Sequence, residues 1–298
     1  MKNLPSDDFR VSIPDDNFQS YLYKEGIIVS EGTVAYGDIK GISNVSFRQK
    51  QIKDLEGIQY FTALTSLWCG GNQLTSLDVS KNTALTSLWC GGNQLTSLDV
   101  SKNTALTELD CFSNLLTSLD VSKNTALTYL HCGSQYNKLK SLDVSKNTAL
   151  TRLICVSNKL TSLDVSKNTA LTYLSCGGNQ LTSLDVSQNT ALDHLDCREN
   201  QLTSLDVSKN TALTYLDCCN NQLTSLDVSK NNAFDHLYSD FLTRFNHLDY
   251  DDNKIEVKGF EDEIDWEEEA FNALTDGQYG DYDDFNGDWD RLDDERGA

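Results

Sequence analysis

Between residues 64 and 233 the chain sets leucine, valine and cysteine at fixed intervals among polar residues, in blocks of the form LTSLWCGGNQLTSLDVSKNTA. The block fills residues 64–84 and recurs unchanged over 85–105. Its frame restarts at Leu106, Leu127, Leu150, Leu171, Leu192 and Leu213, with a period of 21 residues except in the copy at Leu127, which is two residues longer. Within each block Leu67 and Cys69 alternate with Ser66 and Trp68, a period of two that predicts a short strand with leucine and cysteine inward and serine and tryptophan outward. Successive strands then stack as a parallel ladder. The asparagine in the ninth place (Asn72, Asn93, Asn114 and onward) suits a turn in which its amide bonds backbone groups that the bend leaves unpaired.

The second half of each block, LTSLDVSKN, follows the same nine-residue spacing. It has about eleven residues including its turns, and Thr75, Val79 and Thr83 disfavour helix, so a helix of three turns does not fit there. Extended or short 3-10 backbone is expected on that side. A period of 20 to 29 residues with L-x-x-L-x-L-x-x-N spacing is the mark of a leucine-rich repeat solenoid, a right-handed coil with a parallel β-sheet on one side. Each coil hides roughly five apolar side chains, at about 1.5 to 3 kcal/mol each before conformational entropy is charged. No coil is stable alone, so neighbours supply the core.

The chain therefore reads as three segments. Residues 1–41 form an N-terminal cap with a short helix over DDNFQSYLYKEG, where acidic cap candidates precede Phe18, Tyr21 and Leu22 at helical spacing and Gly26 follows. Residues 42–255 form about ten coils, regular over 64–233, with Phe47 in the cysteine place of an irregular first coil and a decaying last one. Residues 256–298 form an acidic cap helix and tail, with Phe260, Ile264, Phe271 and Leu274 at helical spacing. The tail beyond Gly277 alternates acids with Tyr282, Phe285 and Trp289.

The formal net charge is −21, two thirds of it after residue 258, where sixteen acidic residues face Arg291 and Arg296. This argues against nucleic acid or an anionic membrane as partner and favours a basic protein. Eight of nine cysteines recur at one inward place: Cys69, Cys90, Cys111, Cys132, Cys155, Cys176, Cys197 and Cys218. A regular inward column reads as a buried reduced ladder of small hydrophobes rather than a metal or disulfide framework. Cys219 falls on an outward place as the one candidate reactive thiol. The start MKNLPSDDFR lacks an apolar secretory core and no membrane span appears. As written the chain reads as cytoplasmic, or as secreted or at the cell surface if an export signal has been removed.

Among the regular coils most substitutions fall on outward places of the first half, while the second half stays uniform. A continuous partner-binding face is expected from Trp68, Trp89, Phe112, Tyr129, His131, Arg152, Ile154, Tyr173 and Tyr215, with Tyr136 bulging from the rim in the two-residue insertion. Stacked aromatics that merely stabilise strands are the alternative. The column Asp78, Asp99, Asp120 beside Lys81, Lys102, Lys123 reads as a solvated, salt-bridged face rather than a calcium ladder. His194, Asp196, Asp217 and His236 are weighed as a zinc set, and Asp249, Asp251 and Asn253 as the start of a calcium loop. Surface variety explains the first, and Lys254 in the required glycine place argues against the second. No nucleophile has an evident base and orienting partner, so neither catalysis nor a cofactor is expected.

The text LTSLDCxxNQLTSLDVSxNTA, with IPDDNFQSYL and DLEGIQYFTAL on its N-terminal side, resembles leucine-rich repeat proteins of the bacterial internalin type, most of all their 21-residue cysteine-ladder variety. The resemblance covers roughly residues 10 to 255. It implies a non-enzymatic protein-binding module, in surface-attached members an adhesin that engages host or matrix molecules through the concave sheet; the chain is expected to be a monomer. A cytosolic binder of a basic protein, such as an immunity protein that blocks a toxin with the acidic tail, is the alternative.

Overall fold

The structure is a computed structural model that describes residues 5–28, 33–234, 236–239 and 257–258. The tail from residue 259, its expected helix and the Asp249, Asp251 and Asn253 set lie outside the described residues.

The N-terminal segment begins with β1 (Arg10–Ser12), helix α1 (Asp16–Lys24), β2 (Thr33–Ala35) and the one-turn α2 (Tyr36–Ile39); β1 and β2 pair antiparallel. Asp15 opens α1 because its carboxylate accepts the Phe18 N–H at 2.9 Å, and Gly26 takes a left-handed φ of 68° just past its end. Phe18 and Leu22, four residues apart, share the buried face. Phe18 meets Phe47 edge-on at 4.8 Å and stacks on Phe61 at 6.3 Å, which joins α1 to the first coil.

Ten short strands make one parallel sheet. They are β3 (Asn44–Ser46), β4 (Ser66–Trp68), β5 (Ser87–Trp89), β6 (Glu108–Asp110), β7 (Tyr129–His131), β8 (Arg152–Ile154), β9 (Tyr173–Ser175), β10 (His194–Asp196), β11 (Tyr215–Asp217) and β13 (His236–Tyr238). The register is direct: Ser66 faces Ser87, Leu67 faces Leu88 and Trp68 faces Trp89, so each repeat place becomes a column. The central leucines and the eight ladder cysteines are buried throughout. Phe47 heads the cysteine column and buried Ser239 stands at its foot.

Two asparagine ladders close the ends of each strand. At the C-terminal end Asn93 donates to the carbonyls of Cys69 and Cys90 and accepts the Leu74 N–H, all within 3.0 Å. At the N-terminal end Asn103, fully buried, donates to the carbonyls of Val79 and Asn82 one rung before. The second ladder lies in the SKN text that looks like filler.

The far side of the coil is extended chain followed by two successive turns, Asn82 N–H to Val79 carbonyl and Leu85 N–H to Asn82 carbonyl. Among the described residues 3-10 backbone occurs once, at Ile58–Tyr60 in the first coil. On this side a further short strand, β12 (Leu226–Asp227), pairs in parallel with β14 (Val257–Lys258).

One expectation is corrected here. The aspartate column does not form ion pairs with the lysines. Asp78, Asp99 and Asp120 instead accept the N–H of Ser80, Ser101 and Ser122 at 2.8 to 2.9 Å, and these bonds hold each carboxyl below the usual range. A short carboxylate caps its own turn at little entropic cost, whereas a solvated lysine must be ordered to reach it.

Candidate functional site

The in-register sheet stacks side chains of neighbouring rungs at a spacing suited to rings. Arg48 lies over Trp68 at 4.9 Å, Trp68 meets Trp89 at 5.8 Å, and Trp89 stacks parallel on Tyr129 at 5.8 Å. Arg152 sits between Tyr129 at 6.0 Å and Tyr173 at 4.5 Å. His194 is then sandwiched between Tyr173 and Tyr215, with centroids 4.0 and 4.1 Å apart and planes within 9°. The result is one file of planar groups running from Arg48 to Tyr215, with His236 tilted against its end at 6.2 Å. The rings of the file are half-buried, while Arg152 is exposed.

Enclosure sets the protonation of this file. Burial, with Arg152 adding like-charge repulsion, pulls His194 down to about 4, so its ring is neutral at pH 7. Burial, with Asp110 second, pushes the Tyr129 phenol up.

The fifth place of the repeat departs from expectation. Outward Asp110, Ser175, Asp196 and Asp217 are buried, at 2 to 6% exposure, beneath neighbouring side chains. Asp110 pairs with His131 at 3.2 Å and accepts the Phe112 N–H at 3.1 Å, while Phe112 stacks on the His131 ring at 5.0 Å. Asp196 accepts from Ser175 Oγ at 2.9 Å, and Arg198 lies 3.7 Å from Asp196 and 3.6 Å from Asp217. Burial raises the Asp196 carboxyl, and Arg198 offsets part of that rise. The weighed zinc set is therefore engaged otherwise: Arg198 bridges its two carboxylates and His194 belongs to the ring file.

The cysteine column is the other regular feature. Burial pushes the Cys69 and Cys132 thiols up to about 12 and the thiols between and beyond them upward as well. These groups are protonated and shut away from solvent, which is the condition of an inert apolar ladder.

A family model described as Leucine Rich repeats (2 copies) matches residues 62–103 and 190–231. Internalin J of Listeria monocytogenes serotype 4b (strain F2365) is 43% identical over 69 residues, which is 23% of this chain and 8% of that protein. The solved functional domain of InlJ from Listeria monocytogenes, which includes a cysteine ladder, matches with a TM-score of 0.71 and 40% identity over 78% of this chain and 57% of that one. This chain is a leucine-rich repeat solenoid, homologous over most of its length to the InlJ domain with its cysteine ladder. An internalin (inlF) from L. monocytogenes str. 4b F2365, at 23% identity and a TM-score of 0.63 over 76% of each chain, shares the fold. The chain spans little more than half of the solved InlJ domain and a small part of the curated internalin J.

Of the residues expected on the internalin-like sheet face, Trp68, Trp89, Tyr129, Arg152, Tyr173 and Tyr215 fall into the single file, and Phe112 and His131 make a separate pair beside it. Ile154 is half-buried on β8 next to them, and Tyr136 stands apart on the rim, 54% exposed. Sequence spacing did not find Arg48, which precedes the regular blocks. Nor did it find the ring role of His194, whose third-place position beside Tyr173 and Tyr215 was the available signal. Cys219 is half-buried and donates its N–H to Asp217.

Proposed function

We propose that this chain binds a protein on the sheet face between Trp68 and Tyr215, in the manner of an internalin-type receptor-binding module. The observation that carries the reading is the ring file itself. Substitutions among the coils concentrate at the third and fifth places, and the side chains so introduced are locked to one another across the rungs. A partner would meet a preorganised edge of phenol, imidazole and guanidinium groups, so little side-chain entropy is lost on binding. Tyrosine, tryptophan and arginine are also the usual composition of hot spots. The family resemblance supports an interaction role, and the adhesin type of partner belongs to this proposal.

The test compares capture of binding proteins from lysate and from culture medium by the wild type, by Arg152→Glu and by Tyr215→Ala, with Lys102→Ala in an exposed far-side turn as control. Partners retained by the control and lost by both face variants, with unfolding midpoints unchanged, support the reading. Identical recovery by all four proteins removes the sheet face from consideration.

A further inference from the structure

We infer that the rim beside β6 to β8 is a docking site for an acidic peptide segment carrying an apolar anchor, a deepening that rests on the interaction-module reading above. The rim place directly after each buried ladder asparagine is glutamine in most coils, at Gln73, Gln94, Gln180, Gln201 and Gln222, but Leu115, Lys138 and Lys159 in three consecutive ones. Backbone bonds from Leu115 to Leu95, Lys138 to Leu116 and Lys159 to Leu139, at 2.7 to 2.9 Å, set these three on adjacent rungs. The middle rung also holds the two-residue insertion that raises Tyr136 beside them, and Lys140 replaces the threonine of the other coils.

Leu115 and Tyr136 are 44% and 54% exposed, and the other exposed large hydrophobics among the described residues, Phe9 and Tyr23, lie in the N-terminal segment. Two exposed apolar side chains among the polar residues and glycines of this rim leave a local patch for a partner to cover.

Charge names the class of partner. Residues 106–170 carry seven lysines and arginines against five acids in a chain of net charge −21. Asp120, Asp143 and Asp164 are occupied with their own serine turns, and Asp110 with His131. Lys138, Lys140 and Lys159 are exposed and take part in none of the ion pairs among the described residues. At an ionic strength of about 0.15 M charges more than about 8 Å away are largely screened, so the lysines on this rim, rather than the net charge of the whole chain, set the sign a partner meets. A glutamate-rich segment with one bulky apolar side chain satisfies both halves of the patch.

The probe is a short fluorescent peptide of glutamates with one tryptophan and one leucine, titrated by anisotropy into the full chain at about 0.15 M salt. Two controls accompany it, one with lysine in place of every glutamate and one with glycine in place of the two apolar residues. The variants are Lys138→Glu with Lys159→Glu, and Leu115→Gln with Tyr136→Ser; the glutamine restores the residue of the other coils and so keeps the rung. Saturable binding of the acidic anchored peptide, weakened roughly tenfold or more by either double variant and absent for both control peptides, supports the inference. Equal binding of the lysine peptide, or unchanged affinity in both variants, overturns it and leaves the Arg152 capture result standing on its own readout. A concentration-dependent dimer in light scattering that Leu115→Gln with Tyr136→Ser abolishes also overturns it, because the occupant is then a second copy.

Discussion

The phenyl ring of Phe112 lies over Gly91, one rung before it, where a Cβ would overlap the ring edge. The relationship recurs: Val156 leans over Gly133 and Arg198 over Gly177. At a rung spacing near 4.8 Å each of these three side chains leans back over the rung before it and needs a glycine there, whereas the small Cys219 can follow Arg198.

Gly91→Ala is therefore expected to destabilise the chain by about 1 to 3 kcal/mol, the usual range for overpacking. Combining it with Phe112→Gly should recover most of that loss, leaving the part due to Asp110 Oδ1, 2.9 Å from the added carbon. Gly41→Ala, with no atom near its Cβ position, should be close to neutral. Urea unfolding of the wild type, Gly91→Ala, Phe112→Gly and the double variant gives the coupling directly, with Gly41→Ala as control.

The thiol ladder should make stability fall steeply in alkali. The folded thiols are raised, so their contribution is present in full below the unfolded pKa of about 8.5 and is lost as pH rises toward the folded values. Each buried thiol tilts the curve by about 1.4 kcal/mol per pH unit in that window. Urea midpoints measured in reductant should be level up to about pH 8 and drop sharply above it. Cys90→Ala with Cys111→Ala should show a shallower drop.

Thiol accessibility follows from the same burial. Native protein treated with an alkylating agent at neutral pH should be modified at Cys219 alone, the half-buried member, and at all nine cysteines after denaturation. Mass spectrometry of intact protein counts the adducts. Labelling of Cys111 or Cys132 in the native state would contradict a closed ladder.

His194 should titrate near pH 4 by NMR, far below a free imidazole. Its folded pKa is depressed, so its contribution to stability is present above about pH 6.5 and is lost as pH falls toward 4. His194→Phe keeps the stack and removes the charge, so its midpoint should fall less than the wild type's between neutral pH and pH 4.5.

Asn93→Ala leaves the Leu74 N–H without its acceptor and removes one of two asparagine donors from each of the Cys69 and Cys90 carbonyls, which keep Asn72 and Asn114. At about 1 to 3 kcal/mol for the buried N–H left unsatisfied and about 1 kcal/mol for each further bond lost, this single change should cost about 2 to 5 kcal/mol. Thermal unfolding against the exposed Gln94→Ala control measures it.

The solenoid, its parallel sheet, the buried cysteine column and the first asparagine ladder were all legible in the sequence. Each depends on a period that repeats in every copy, and a strict period leaves one way for Leu67, Cys69 and Asn72 to stack on Leu88, Cys90 and Asn93. The positions of the sheet-face candidates were legible too, Tyr129 and Arg152 for example as departures from that period. Only the tertiary structure decided how those departures meet: Trp89 reaching Tyr129 across two rungs, Arg48 joining from outside the regular blocks, Asp196 and Asp217 buried around Arg198, and Asp78 turned to its own serine instead of a lysine. The physical reason is that backbone register is fixed by a repeated hydrogen-bond pattern, whereas the direction a side chain takes on an exposed ladder depends on the unlike neighbours directly above and below it.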